Sequence, residues 1–165
     1  MRLTVTEADG RRHVDITPEQ AEATGVAPDM VLSAVKAHLH ALVDAQAEAL
    51  RSRVVTPGAG QALEYQEAQA QAAAALAGGA SSATAERYPM LAVTVGIDID
   101  PQTGEPAADI LGVARGVQAA RGAWLAIGVA IRGARLKGKA AIGAATTLDE
   151  AIAAHAAIAW PAPPD

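Results

Sequence analysis

A chain of 165 residues with no Phe, two Trp and two Tyr has little large apolar volume from which to build a core. Its hydrophobic fraction is 51%, but most of that is alanine. Alanine buries little area, so each residue contributes weakly at roughly 25 cal/mol per Å². It also has the best intrinsic helix propensity and lets helices approach closely. The expected fold is therefore mainly α, with part of its stability drawn from contacts beyond one thick core, including contacts between subunits.

Charge and residue usage narrow the function classes. The formal net charge of −5 argues against a dedicated nucleic-acid binder, which would carry a basic excess. The absence of cysteine removes disulfides, thiolate catalysis and Cys-ligated zinc. The N-terminus MRLTVTEADG has no apolar h-region, so no signal peptide is expected. The most apolar stretch, AWLAIGVAI, lies between Arg121 and Arg132 and is too short for a membrane span. A soluble chain made in the cytoplasm is expected.

The alternating run at residues 3–16 predicts a β-hairpin turning at Ala8-Asp9-Gly10, with Leu3, Val5, Val14 and Ile16 on one apolar face. Thr17-Pro18-Glu19-Gln20 reads as a capping box opening a short helix that ends near Gly25. Residues 1–27 form the first expected domain, and residues 28–165 an elongated helical bundle. Within the bundle a helix starts at Pro28, with Leu32, Val35, Leu39 and Leu42 forming a heptad seam. It should stop near Val55, ahead of Pro57. A second helix is expected from about Gly60 to Ala77, and a short one at Pro89. The longest runs from Pro106 to about Ile142 unless its many glycines divide it. Val113, Ala120, Trp124, Ile127 and Ile131 lie on one of its stripes; Leu111, Leu125, Val129 and Leu136 lie on another. A helix with two apolar stripes must meet two neighbours. Thr147-x-x-Glu150 caps a last helix ending near Trp160.

Few residues suggest chemistry. Asp98, Asp100 and Gln102 alternate like the first ligands of a calcium loop. An EF-hand needs Gly sixth and Glu twelfth, whereas Thr103 and Asp109 stand there and Gly104 comes one residue late. An inter-helix turn shaped by Pro101 and Gly104 is the better reading. His38 and His40 are two apart, so on a helix they point away from each other and cannot share an ion. His13 and His155 are isolated, and Ser33, Ser52, Ser81 and Ser82 lie in no nucleophile motif. Arg121, Arg132, Arg135 and Lys139 are expected to pair with acids of adjacent helices or stay solvated. No cofactor, catalytic residue or metal ligand is implied, although a small metal-dependent enzyme built on Asp98 and Asp100 stays open.

One order of features reaches beyond composition. A Thr-Pro-Gly loop leads into a helix with Tyr65; an Ala/Gln-rich stretch precedes Arg87-Tyr88-Pro89-x-Leu91. A long helix with Trp124, an Arg-Leu-Lys segment at residues 135–137, KAAIGAAT and a terminal IAWPAPP follow. Over roughly residues 50–160 this order resembles small, Ala-rich helical proteins encoded among the tail genes of tailed bacteriophages and prophages. The resemblance implies a virion component of tail or fibre, with no enzymatic activity. Such a protein would self-associate, with a trimer favoured, and hold other virion proteins; neither nucleic acid nor membrane is an expected partner. The alternative is an assembly chaperone absent from the finished particle. The expected interface residues are Leu3, Val5, Val14, Ile16, Leu32, Val35, Leu39, Leu42 and Trp124.

The misplaced glycine and missing terminal glutamate predict that excess calcium leaves the melting temperature unchanged. A specific site held at 100 times its dissociation constant would stabilise the fold by ~2.7 kcal/mol, so a rise of several degrees would establish a calcium site.

Overall fold

The N-terminal hairpin forms where alternation and Asp-Gly place it, with strands β1 (Leu3–Thr6) and β2 (Arg12–Ile16) antiparallel. Gly10 takes φ +88°, and its N–H donates to the Glu7 carbonyl at 2.9 Å, closing the turn. The register then breaks. Leu3 pairs with Ile16, but Thr4 pairs with Val14, and Asp15 between them has φ +57°. One extra residue in β2 reverses the faces beyond it. Val14 therefore does not share the face of Leu3 and Val5, as alternation suggests: it is 57% exposed, while both others are buried. His13 stands opposite Val5 instead, 2.7 Å from Glu7 Oε1.

The computed structural model describes residues 1–54 and 58–162. After the hairpin come α1 (Pro18–Ala23), α2 (Pro28–Arg51), α3 (Ala59–Gly78), a 3₁₀ turn (Ala80–Ser82), α4 (Pro89–Ala92), α5 (Ile110–Ala144) and α6 (Leu148–Ala156). The protein is thus mainly α, with a hairpin followed by long helices. No helix among the described residues is long and apolar enough to cross a membrane. The helix stop expected near Val55, and Thr56-Pro57 of the Thr-Pro-Gly loop, fall outside the described residues, as do the last three residues of the chain.

Two units divide the chain: Met1–Arg51 with Val129–Asp165, and Ser52–Gly128. The domain boundary expected after residue 27 falls inside the first unit, because the hairpin shares a core with α2. That core contains Leu3, Val5, Ala21, Val31, Val35, Leu39, Val43, Ile142 and Ala151. Along α2 the buried row is Val31, Val35, Leu39, Val43 and Ala47. This is an i, i+4 ridge, the row that packs in globular helix pairs, rather than the 3-4 seam of a coiled coil. Leu32 is half-buried at its edge and Leu42 is 39% exposed.

Polar contacts hold α2 to the last turns of α5. Asp44 accepts from Arg135 Nε at 2.6 Å and from Lys139 Nζ at 2.7 Å, and these hydrogen bonds, Lys139 first, lower its pKa. His40 Nε2 donates to the Lys139 carbonyl at 3.1 Å, and Lys36 Nζ donates to the Gly143 carbonyl at 2.9 Å. The lysine thereby satisfies one of the carbonyls a helix end leaves open. Both capping boxes read from sequence form: Thr17 with Gln20 at α1, Thr147 with Glu150 at α6.

The second unit has a smaller core of Ala72, Ala75, Tyr88, Leu91, Ala107, Ile110, Val113 and Ala114. Half of these residues are alanine, so α3 and the start of α5 lie close together. The short helix expected at Pro89 is present as α4, and residues 93–97 continue as turns rather than a strand. α5 is unbroken through all of its glycines. It begins at Ile110 and not at Pro106, because Pro106 is bridged to Ile99 and the Ala107 N–H donates to the Asp98 carbonyl. Asp109 starts the helix, its Oδ1 accepting from the Gly112 N–H at 2.8 Å.

The burial of α2 separates two neighbouring leucines. Leu39→Ala should cost about 2–5 kcal/mol of unfolding free energy, and Leu42→Ala within about 0.5 kcal/mol. Urea unfolding followed by circular dichroism checks both; equal losses would refute the assignment of the buried row.

Candidate functional site

The most constrained segment of the second unit is the loop from Val93 to Asp109. Its backbone is satisfied internally. The Gly96 N–H donates to the Ala107 carbonyl at 2.8 Å, and the Asp100 N–H to the Glu105 carbonyl at 2.9 Å. The reversal at residues 100–104 ends on Gly104 with φ +75°, a conformation that glycine adopts without steric cost. The Asp100 carboxylate accepts from the Gln102 N–H at 3.0 Å, an Asx turn.

Asp100 is only 4% exposed, and its fork faces Arg115 in the second turn of α5. Arg115 Nε donates to Oδ1 at 3.0 Å, and Nη2 donates to Oδ2. Such a bidentate pair fixes geometry as well as charge. Arg115 and the Gln102 N–H together hold the Asp100 carboxyl at a pKa of about 2. The helix surface around the guanidinium has been cleared of side chains. A Cβ at Gly112 would stand 2.9 Å from Ala107 Cβ, and one at Gly116 would stand 2.8 Å from the Ile99 carbonyl oxygen. Gly112 and Gly116 flank Arg115 so that the loop can lie directly on the helix.

Within the fold the Asp98-Ile99-Asp100 motif shapes a turn held against α5. Asp100 is committed to Arg115, and the loop is an arginine-clamped turn. Among the described residues no group of three or more His, Asp or Glu is placed to hold a metal ion. The pairing of Asp100 with Arg115 was not read from sequence; the two glycines one turn apart around a lone arginine were its available signal.

The clamped loop presents apolar side chains to water. Val93 is 72% exposed and Ile97 69%, and Val95 and Ile99 are exposed as well. Further along α5, every position from 119 to 126 is exposed, including Trp124 at 43% and Leu125. Leu63 and Tyr65 of α3 are exposed too. Single exposed aliphatics are ordinary on soluble proteins, but clusters of this kind mark contact surfaces. In the first unit an open groove between α5 and α6 is lined mostly by Ala and Gly, with Lys137 its one charged wall.

The residues expected to form an interface divide by location. Leu3, Val5, Val35 and Leu39 are inside the first unit's core, and Ile16 and Leu32 pack against it. Their apolar area is used within the chain. Val14, Leu42 and Trp124 are exposed. Val93, Val95, Ile97 and Ile99 are exposed as well and belong to neither a helical stripe nor a strand.

Comparison with known proteins gave no match: no family model, no curated protein and no solved structure is significantly similar to the chain.

The depressed pKa of Asp100 gives a pH dependence of definite sign. The folded value of about 2 lies below the ordinary 3.8, so the stabilisation is complete above about pH 4 and is lost as pH falls toward 2. The melting temperature should drop through that window, and drop less in Asp100→Asn. Parallel curves for the two proteins would show that the clamp does not contribute.

Proposed function

We propose that the chain is a structural protein of a tailed bacteriophage particle, a component of the tail or its fibres. It acts by helix-mediated self-association, as a homo-oligomer with a trimer favoured, and by attachment to other virion proteins. The observation that carries the self-association is the stretch of α5 from residue 119 to 126, exposed at eight consecutive positions with Trp124 and Leu125 among them. Two helical turns with no buried face, in a chain this poor in large apolar residues, leave such side chains for a partner to cover. The assignment to a virion rests on the order of features over residues 50–160, which resembles small helical proteins of phage tail gene clusters.

Mass spectrometry of purified particles tests the reading. The protein should be present in multiple copies per particle and remain after high-salt washing. Recovery from infected cells in complex with a fibre protein, together with absence from finished particles, would make it an assembly chaperone. Sedimentation of the isolated protein as a stable monomer at micromolar concentration would remove self-association from the proposal.

A further inference from the structure

Acidic and basic residues are segregated along the second half of the chain. Residues 88–114 contain Asp98, Asp100, Glu105 and Asp109 and no Lys or Arg. Residues 115–144 contain Arg115, Arg121, Arg132, Arg135, Lys137 and Lys139 and no Asp or Glu. Asp100 and Arg115 neutralise each other across the boundary. The clamped loop is left acidic, with Val93, Val95, Ile97 and Ile99 exposed among Asp98, Glu105 and Asp109. The exposed turns of α5 are left basic, with Trp124 and Leu125 beside Arg121. Among the described residues Glu105, Asp109 and Arg121 make no ion pair.

We propose that the loop around Ile97 of one copy docks on the α5 surface of Arg121, Trp124, Leu125 and Gly128 in a second copy. The proposal rests on the self-association reading and names its surface. The occupant is a second copy because the chain carries both halves of a complementary pair and cannot join them itself. Its own loop is pinned at Gly112 and Gly116, and residues 121–128 lie about 8 to 18 Å further along at 1.5 Å per residue. Positions 121, 124, 125 and 128 have the i, i+3, i+4, i+7 spacing that forms a hole on a helix surface, into which an aliphatic knob fits. The Trp124 ring lies along the helix over Gly128, 3.7 Å from where a Cβ would stand, and offers its exposed face as one wall of that hole. Like charges would repel if loop met loop or helix met helix, so the contact pairs unlike surfaces. Each copy then offers its loop to one neighbour and its helix to the other, a head-to-tail contact that closes into a ring or grows as an open array.

The test uses two exposed substitutions in the full chain, Ile97→Asp and Arg121→Glu, examined by light scattering after gel filtration. Each should weaken association about 100-fold or more with unchanged helical circular dichroism. An equimolar mixture of the two should pair into dimers and go no further, because one retains a sound helix surface and the other a sound loop. A mixture that stays monomeric would overturn the head-to-tail contact. Two variants that assemble like an oligomeric wild type would overturn this surface while leaving self-association standing. A wild type that is monomeric at 100-fold higher protein concentration would end both.

Discussion

Close approach between small side chains is the constraint on which the rest of the structure depends. With no Phe, the cores are built from Val, Leu, Ile and Ala, with Tyr88 the one aromatic ring among their buried residues. Alanine contributes dispersion contacts only when the opposing backbone is near, because attraction between atoms decays steeply with separation. The second unit meets this requirement with Ala72, Ala75, Ala107 and Ala114, and with glycines where the loop crosses α5. In the first unit Gly138 serves the same end, since a Cβ there would collide with Ile158. Glycine in a helix costs about 1 kcal/mol relative to Ala; at Gly112, Gly116 and Gly138 the approach it permits offsets that cost.

Electrostatics supplies the specificity that such plain cores lack. Apolar residues of similar size pack in several registers with little to choose between them. Asp44 with Arg135 and Lys139, and Asp100 with Arg115, each join segments far apart in sequence and admit one register only. The first group is partly exposed and therefore screened. The second is shielded on the carboxylate side and oriented by two hydrogen bonds from one guanidinium, so it fixes the loop more firmly. Glu105 and Asp109 on the loop side and Arg121 on the helix make no ion pair among the described residues, and they give the proposed contact its polarity.

What could be read from the sequence was local. The turn at Asp9-Gly10, the two capping boxes and the short helix at Pro89 are determined by residues within a few positions of each other, and all are present. The seam of α2 was less legible because both candidate rows are apolar. Whether Val31 and Val43 or Leu32 and Leu42 face inward depends on what packs against them. The face of Val14 was hidden by the register break at Asp15, since nothing in an alternating strand announces one extra residue. The start of α5 was misjudged because a proline suited to the first helical turn is also suited to the bridge with Ile99. The candidate surface was partly legible: Trp124 stood out as a large side chain on a stripe, while the four aliphatics of residues 93–99 follow no helical stripe that would single them out. The Asp100–Arg115 pair that holds this loop on α5 is likewise invisible to a linear reading.

The exposed turns of α5 have a thermodynamic meaning of their own. Helical segments in proteins owe most of their stability to a packed face, and residues 119–126 have none. Their hydrogen bonds are maintained by intrinsic propensity, to which Ala119, Ala120, Ala123 and Ala126 contribute well and Gly122 poorly. In the free subunit these amides should be the first of the helix to exchange with solvent, by local opening that leaves both cores intact. A neighbour that covered them, as the proposed self-association requires, would raise the free energy of that opening and so complete a part of the fold that the isolated chain holds only marginally.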